Sequence, residues 1–312
     1  MKIIFFGLGS IGTRHARLLK ENFNHELYAF RYNKDSKENM LGIKEIFSFE
    51  ELDEIKPDVA FITNPTYKHM ECALQCAKRG MNLFIEKPLS NTQEGLKEFK
   101  QIVKEKKIKT YLAYNMRFNQ LIKWLKENLQ GKKPVHVSVY ASSFLPNWRK
   151  NIDHLKNYSA LKEQGGGIVL DLSHEIDYLY YLFGKIKKVK VNSKKISDVT
   201  VDSEDFADIL LEFDSGMFGN VHLNFLSRLN RREIIIDLND STVTADLISN
   251  KITIYDDKGT NNINFNFERD DMYLSELKYF FEHMRTKKTM NDINESLRIF
   301  NIIMKIKNEV KL

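Results

Sequence analysis

The sequence predicts an α/β protein of two domains. Residues 1–119 read as a doubly wound parallel sheet, and residues 120–312 as an α+β domain on an open, mostly antiparallel sheet. Three observations carry that expectation. Short apolar runs alternate with amphipathic stretches from Lys2 to Phe118, as in repeated strand–helix units. Long alternating segments joined by polar turns fill Asp205 to Tyr255, as in antiparallel strands with one buried face. At 312 residues, the chain is long enough to give each part its own core.

The first stretch, KIIFFGLGSIGTR, sets the frame. Ile3, Ile4, Phe5 and Phe6 suit a strand buried on both faces. Gly7, Gly9 and Gly12 follow at G-x-G-x-x-G spacing, and an amphipathic helix opens at Ile11 with Leu18 and Leu19 on its apolar side. Strand, glycine turn and helix in that order point to a dinucleotide, against an ordinary strand–helix turn. Gly7 allows the tight turn, Gly9 lets the backbone approach a pyrophosphate, and Gly12 lets the helix pack on the strand. Ser10 and Ile11 then begin a helix whose unpaired N–H groups favour an anion. The apolar run is not a signal peptide: one basic residue precedes it, no small-residue cleavage site follows, and a basic helix comes next. With no segment apolar for long enough to span a bilayer, the expectation is a soluble, cytoplasmic protein.

Further along, His25–Arg31 reads as a second strand. Its end should meet the adenosine ribose, where an acidic residue suits NAD. Here Arg31 stands at that place, with Asn33 and Lys34 close behind. Arginine can pair with a 2′-phosphate or stack on adenine, so NADP is favoured over NAD, with an exposed loop arginine as the plain alternative. Phe47–Ile55 reads as a helix and Val59–Thr63 as a third strand, ended by Asn64-Pro65 at the carboxyl edge where such sheets bind ligands. A helix over His69–Arg79 ends at Gly80. Asn82–Ile85 is a fourth strand running into Glu86-Lys87-Pro88, a charged pair odd as packing and reasonable as a site. Gly95–Lys106 is a helix, and Thr110–Tyr114 is a fifth strand ended by Asn115-Met116-Arg117-Phe118.

The second part is expected to hold a helix over Leu121–Leu129, a strand over Val135–Ala141, and a loop over Ser143–Gln164 with Trp148, Arg149 and Tyr158. Gly165–Gly167 lead into one helix through Phe183, and strands follow near Asp205–Phe213, Met217–Leu226, Arg232–Leu238, Thr242–Ile248 and Lys251–Tyr255. Tyr273–Met284 and Ile293–Lys307 close the chain as helices. At about 100° per residue, Leu172, Ile176, Leu179 and Phe183 share a core stripe, with Asp171, His174, Asp177, Tyr178 and Tyr181 opposite. That polar side is either a proton-transfer site on His174, oriented by a carboxylate, or a solvated face with a capping aspartate. A metal is the weaker reading, since no H-x-x-x-H or paired-cysteine pattern is present. The helices are too few to cover both sheet faces, so an exposed face carrying Phe, Val and Leu is expected to form a homodimer or homotetramer.

The formal charge is +6, with both signs spread along the chain. Lys104, Lys106, Lys107 and Lys109 form the densest basic cluster. Without interleaved aromatics it reads as a solvated helix end, not a nucleic-acid surface. Cys72 and Cys76 are the only two cysteines; four apart in a helical pattern, they read as reduced core thiols.

Together GLGSIG at 7–12, TNPTYKH at 63–69, EKPLS at 86–90, YNMRF at 114–118 and GGGIVLDLSHEID at 165–177 resemble the glucose–fructose oxidoreductase / inositol dehydrogenase (Gfo/Idh/MocA) family, over nearly the whole chain. The resemblance implies an N-terminal Rossmann domain, a C-terminal domain with an open sheet, and NAD(P)-dependent redox chemistry on sugars, sugar nucleotides or cyclitols. It implies Lys87 as the catalytic lysine and His174 as the catalytic histidine, with Asp171 beside it. The cofactor would meet Thr63, Asn64, Pro65, His69, Glu86, Lys87 and Asn115. Asp171 stands three residues before His174 where many members have four. Arg117, Arg149, Tyr158, Asp171 and His174 are candidates to hold substrate, and LPNWR with SALKEQGGG is similar to a subgroup associated with surface-sugar metabolism. The family also contains NAD-dependent glycosidases and dinucleotide-binding regulators, the two rival classes.

Overall fold

The computed structural model describes residues 1–33, 39–147, 161, 164–285 and 289–308. The chain forms two compact units, Met1–Tyr114 with Tyr273–Arg298, and Asn115–Met272 with Ile299–Leu312. The sequence boundary near residue 119 differs at the C-terminal end, because residues from the closing helices return to the first unit.

The first unit contains β1 (Lys2–Phe6), α1 (Ser10–Asn22), β2 (Glu26–Phe30), β3 (Lys44–Ile46), α2 (Phe49–Ile55), β4 (Val59–Ile62), α3 (His69–Lys78), β5 (Asn82–Glu86), α4 (Leu96–Glu105) and β6 (Thr110–Ala113). Its six-stranded sheet runs β3-β2-β1-β4-β5-β6, parallel throughout. The order reverses between β1 and β4, which places a ligand crevice at the carboxyl ends of those strands. Phe5, Phe61 and Phe84 line up on neighbouring strands, the last two with ring centroids 4.5 Å apart. Phe280 closes on Phe84 edge-on at 5.3 Å. Beyond β6 the sheet edge is covered: Asn291 Nδ2 donates to the Leu112 carbonyl and Thr289 to that of Thr110. Such cover removes a template for aggregation.

The second unit contains α5 (Gln120–Asn128), β7 (His136–Ser142), α6 (Ile168–Asp171), α7 (His174–Phe183), β8 (Ile186–Lys194), β9 (Phe206–Phe213), β10 (Phe218–Asn224), β11 (Arg231–Asp237), β12 (Ser241–Asp246), β13 (Lys251–Asp256) and β14 (Gly259–Asn264). α8 (Arg269–Met284) and α9 (Ile293–Asn308) follow, each contributing residues to both units. The eight-stranded sheet runs β14-β13-β12-β11-β7-β10-β9-β8. Only β7 and β10 pair in parallel; the other neighbours are antiparallel. Alternation puts Val137, Val139, Ile209, Leu211, Val221, Leu223, Ile234 and Ile236 inside.

The opposite face is more polar than expected. His222 pairs with Asp208 at 2.7 Å and stacks on Tyr140, while His136 bridges Asp237 and Asn220. Leu210 and Phe218 are the exposed apolar side chains of β9 and β10. Three strands escape sequence reading. β3 is only three residues, with one apolar position. β8 carries lysines on its exposed positions. β14, GTNNIN, buries no face and is held by pairing to β13. The single helix expected after the glycines is broken at Leu172-Ser173 into α6 and α7.

Candidate functional site

The turn from β1 to α1 forms a cradle. Gly7 has φ +109°, and a Cβ there would lie 2.7 Å from the Asn64 backbone. A Cβ on Gly12 would lie 2.1 Å from the Gly7 carbonyl oxygen. Packing therefore requires both glycines. Gly9 differs: it is exposed, and a Cβ would meet nothing within 4 Å. Gly9 is also the N-cap of α1, whose start has no side-chain cap and no acidic residue in its first turn. Ser10 and Ile11 thus open a 13-residue helix with uncompensated N–H groups and the positive end of its dipole. Thr63 fastens the turn, its hydroxyl donating to the Gly7 carbonyl at 2.6 Å.

Two loops stand beside the cradle, after β4 and after β5. Asn64 donates through Nδ2 to Cys72 Sγ at 3.0 Å, and its Oδ1 is buried without a protein hydrogen bond. Pro65 is exposed and leads into a 3-10 turn, Thr66–Lys68. His69 was expected among the cofactor ligands, but it is buried, with Nε2 2.8 Å from the Asn64 carbonyl and Nδ1 2.9 Å from that of Pro88. It ties the two loops together. Burial pushes its pKa down, against the pull of the two carbonyls, so the neutral ring donates to one carbonyl at a time. Glu86 ends β5, mostly buried. Its Oε1 accepts from His15 Nε2 at 2.8 Å, and its Oε2 from the Lys87 amide at 3.2 Å. Lys87 follows, partly buried, joined to Pro88 by a cis peptide bond.

Arg31, immediately after β2, is not the uncommitted cation the sequence suggested. Its Nη1 lies 3.4 Å from Glu45 Oε1 on β3. Beside it Tyr32 meets Cys72 Sγ at 3.2 Å and lies under the Lys68 ammonium. Asn33 is exposed, and Lys34 lies outside the described residues.

In the second unit, the polar side of the helix after the glycines is buried, not solvated. Arg117 and Asp177 form a two-pronged ion pair, Nη2 to Oδ1 at 2.7 Å and Nε to Oδ2 at 3.0 Å, with both side chains 0% exposed. Tyr181 lies against the same guanidinium. Arg117, expected to hold substrate, is thus placed in a buried ion pair with Asp177. Asp177→Ala would take a carboxylate away from a buried guanidinium and should cost about 3–5 kcal/mol, read by chemical denaturation. Replacing the pair together by apolar residues of similar volume should cost far less.

Asp171 ends α6, largely buried, and His174 begins α7, partly exposed. The break between them cancels the continuous helical wheel on which they shared a face. Asn115 opens a buried 3-10 turn, Asn115–Phe118. Arg149 and Tyr158 lie outside the described residues. Glu204 was not anticipated. Its backbone carbonyl accepts from Ile168 N at the start of α6. Its carboxylate sits so close to Gly167, φ +117°, that a Cβ there would approach to 2.4 Å. Burial pushes the Glu204 pKa up.

The family description "Oxidoreductase family, NAD-binding Rossmann fold" matches residues 1–114, and "GFO/IDH/MocA C-terminal domain" matches residues 118–260. The chain belongs to the Gfo/Idh/MocA family. It is 25% identical over 306 residues to a myo-inositol 2-dehydrogenase of Thermotoga maritima, covering 92% of this chain and 89% of that protein. It is 25% identical over 265 residues to a scyllo-inositol 2-dehydrogenase (NAD(+)) of Bacillus subtilis, covering 80% and 75%. The fold matches a levoglucosan dehydrogenase in complex with NADH at a TM-score of 0.87, with 16% identity over 99% of this chain and 96% of that one.

As a Gfo/Idh/MocA oxidoreductase, the protein has an NAD-binding Rossmann domain, and the cradle fits that group on its own geometry. Gly9 has no packing reason to be glycine, the α1 N-terminus has no side-chain cap and no acidic residue in its first turn, and Asn64 Oδ1 is a buried acceptor with no donor among the described residues. The pyrophosphate would lie against the Gly9–Ile11 amides. His15 escaped sequence reading, although one signal was present: it stands on the buried face of α1 with Leu18 and Leu19. A histidine there needs a polar partner, and Glu86 supplies it. Among the described residues, no helix is long and apolar enough to cross a membrane, and no group of three His, Cys, Asp or Glu side chains is placed to hold a metal ion.

Proposed function

We propose that the protein is a cytoplasmic dehydrogenase that interconverts a CH–OH carbon and a carbonyl on a cyclitol, sugar or sugar nucleotide, using NAD or NADP. The observation that carries this reading is the uncapped α1 N-terminus beside Gly9, with Lys87 following the last residue of β5 in the same unit. The inositol dehydrogenases named above support the substrate class. Surface-sugar metabolism is the pathway class this reading favours.

A dinucleotide held by the Gly7–Gly12 turn and the α1 N-terminus would supply the hydride acceptor for the carbinol carbon in oxidation. The hydroxyl proton must leave as the C=O bond forms, and Lys87 is assigned to take it. A lysine near a cationic ring and partly withdrawn from water is disfavoured in its charged form, which suits it to accept that proton. His174 is assigned as a second acid–base group, with Asp171 near it in sequence. In reduction the same groups donate to the developing alkoxide. Asn115 on the cofactor, and Arg149 and Tyr158 on the substrate, complete the assignment.

The test is a panel of cyclitols, sugars, sugar phosphates and sugar nucleotides, followed at the absorbance of reduced nicotinamide with each cofactor. At least one member should drive net reduction. Release of free sugar with no net change in absorbance would replace this reading by a glycosidase working through transient oxidation. Exposed Leu210 and Phe218 support a homodimer or homotetramer through the open sheet face. Light scattering that gave a monomer at micromolar concentration would overturn that part.

A further inference from the structure

The Arg31–Glu45 pair sits where the adenosine ribose is recognised. In a sheet of this strand order, the residue following the second strand meets the ribose 2′ position, and Arg31 directly follows β2. The guanidinium does not wait there as an open anion receptor. Its Nη1 lies 3.4 Å from Glu45 Oε1, and the two side chains are only 16% and 18% exposed. Glu45 is fixed by the sheet: it lies on β3 opposite Ala29 of β2, and the Arg31 amide donates to the Ile46 carbonyl one residue on. Asn39 Nδ2 donates to the same Glu45 oxygen at 2.8 Å. The carboxylate is therefore positioned by a neighbouring strand and by a side-chain amide, independently of any ligand.

We propose that Glu45 is a specificity-determining residue for the cofactor: by compensating Arg31 in place, it lowers the affinity for a 2′-phosphate and tips the site toward NAD. This rests on the dinucleotide reading of the cradle. An Arg31 fork turned toward a 2′-phosphate must give up Glu45, and it leaves a partly buried carboxylate close to a dianion. Like charges at that range oppose each other more strongly than in bulk water. A ribose bearing a 2′-hydroxyl asks neither, because a hydroxyl can donate to the carboxylate while Arg31 stays paired. The sequence expectation that Arg31 favours NADP is thus conditional on its neighbour in β3.

The experiment is calorimetric titration of the full chain with NAD and with NADP, for the wild type and the Glu45→Gln, Glu45→Ala, Arg31→Ala and Glu45→Gln/Arg31→Ala variants, with melting temperatures as a check on folding. Glu45→Gln should tighten NADP by about tenfold, the effect of one charge-assisted contact, with NAD changed less than about twofold. Arg31→Ala should weaken NADP more than NAD. The double variant should bind NADP more tightly than Arg31→Ala, because the carboxylate that opposes the phosphate is gone, and less tightly than Glu45→Gln, because the guanidinium is gone too. Glu45→Ala should change the NADP to NAD ratio in the same direction, which keeps the test open if one variant folds poorly. Equal changes for both cofactors, or an unchanged ratio in both Glu45 variants, would overturn the role of Glu45 while leaving the cradle intact. Failure of the wild type to bind either nucleotide would overturn the cradle, and the proposal with it.

Discussion

Replacing Lys87 with alanine should lower kcat by about 10²–10⁴, the span for loss of a positioned acid–base group, while the dissociation constant for NAD stays within about fivefold. The two outcomes separate because different parts of the first unit carry them. Dinucleotide affinity is assigned to the Gly7–Gly12 turn and the α1 N-terminus, which owe nothing to the Lys87 side chain. Proton exchange is assigned to its ammonium group, which follows a glutamate fixed by the fully buried His15. Lys87→Arg sharpens the test. Arginine keeps the positive charge but does not give up a proton in the working range. If Lys87 moves a proton, the arginine variant stays slow. If it only supplies positive charge, the arginine variant recovers. Full turnover in Lys87→Ala would remove the residue from the catalytic assignment. A lost nicotinamide-binding signal would instead make it a cofactor ligand.

Sequence reading reached the first unit well because its signals are local. An apolar run, three spaced glycines and Asn-Pro after the next strand each announce themselves within a few residues. What escaped depends on distant partners or on too short a run. The His15–Glu86 bond spans 71 positions and the Arg117–Asp177 pair spans 60. In each, one side chain alone looks like an exposed polar residue or a ligand. The Arg31–Glu45 pair shows the same limit, because β3 offers only Lys44–Ile46 to recognise. The break at Leu172-Ser173 has no proline or glycine to mark it. There a periodic pattern ran across a junction, and the side of α7 that carries Asp177 is buried instead of solvated. The burial of that face changes what a substitution means: a charged residue on α7 is as apt to be holding the fold as serving the reaction.

His174 is where those two meanings must be told apart. It is the first residue of α7 and partly exposed, whereas Glu175 and Asp177 just after it are buried in ion pairs with Arg232 and Arg117. The packing of α7 rests on those pairs and on Ile176, Tyr178 and Leu179, all buried. If His174 serves the reaction and not the packing of α7, His174→Ala should leave the melting temperature nearly unchanged, within about 0.5 kcal/mol. If His174 shares proton transfer, kcat should nevertheless fall by about 10²–10⁴. His174→Asn can keep one hydrogen bond but cannot shuttle a proton, so it should remain slow. A histidine that merely supports the start of α7 predicts the opposite pair of results: a lower melting temperature, and near-normal turnover in the fraction that stays folded. Asp177→Ala provides the internal contrast, because it should destabilise the protein strongly by breaking a buried ion pair. Should His174→Ala resemble Asp177→Ala in its melting temperature and the wild type in its turnover, His174 belongs with the ion pairs that hold α7, and proton exchange is left to Lys87.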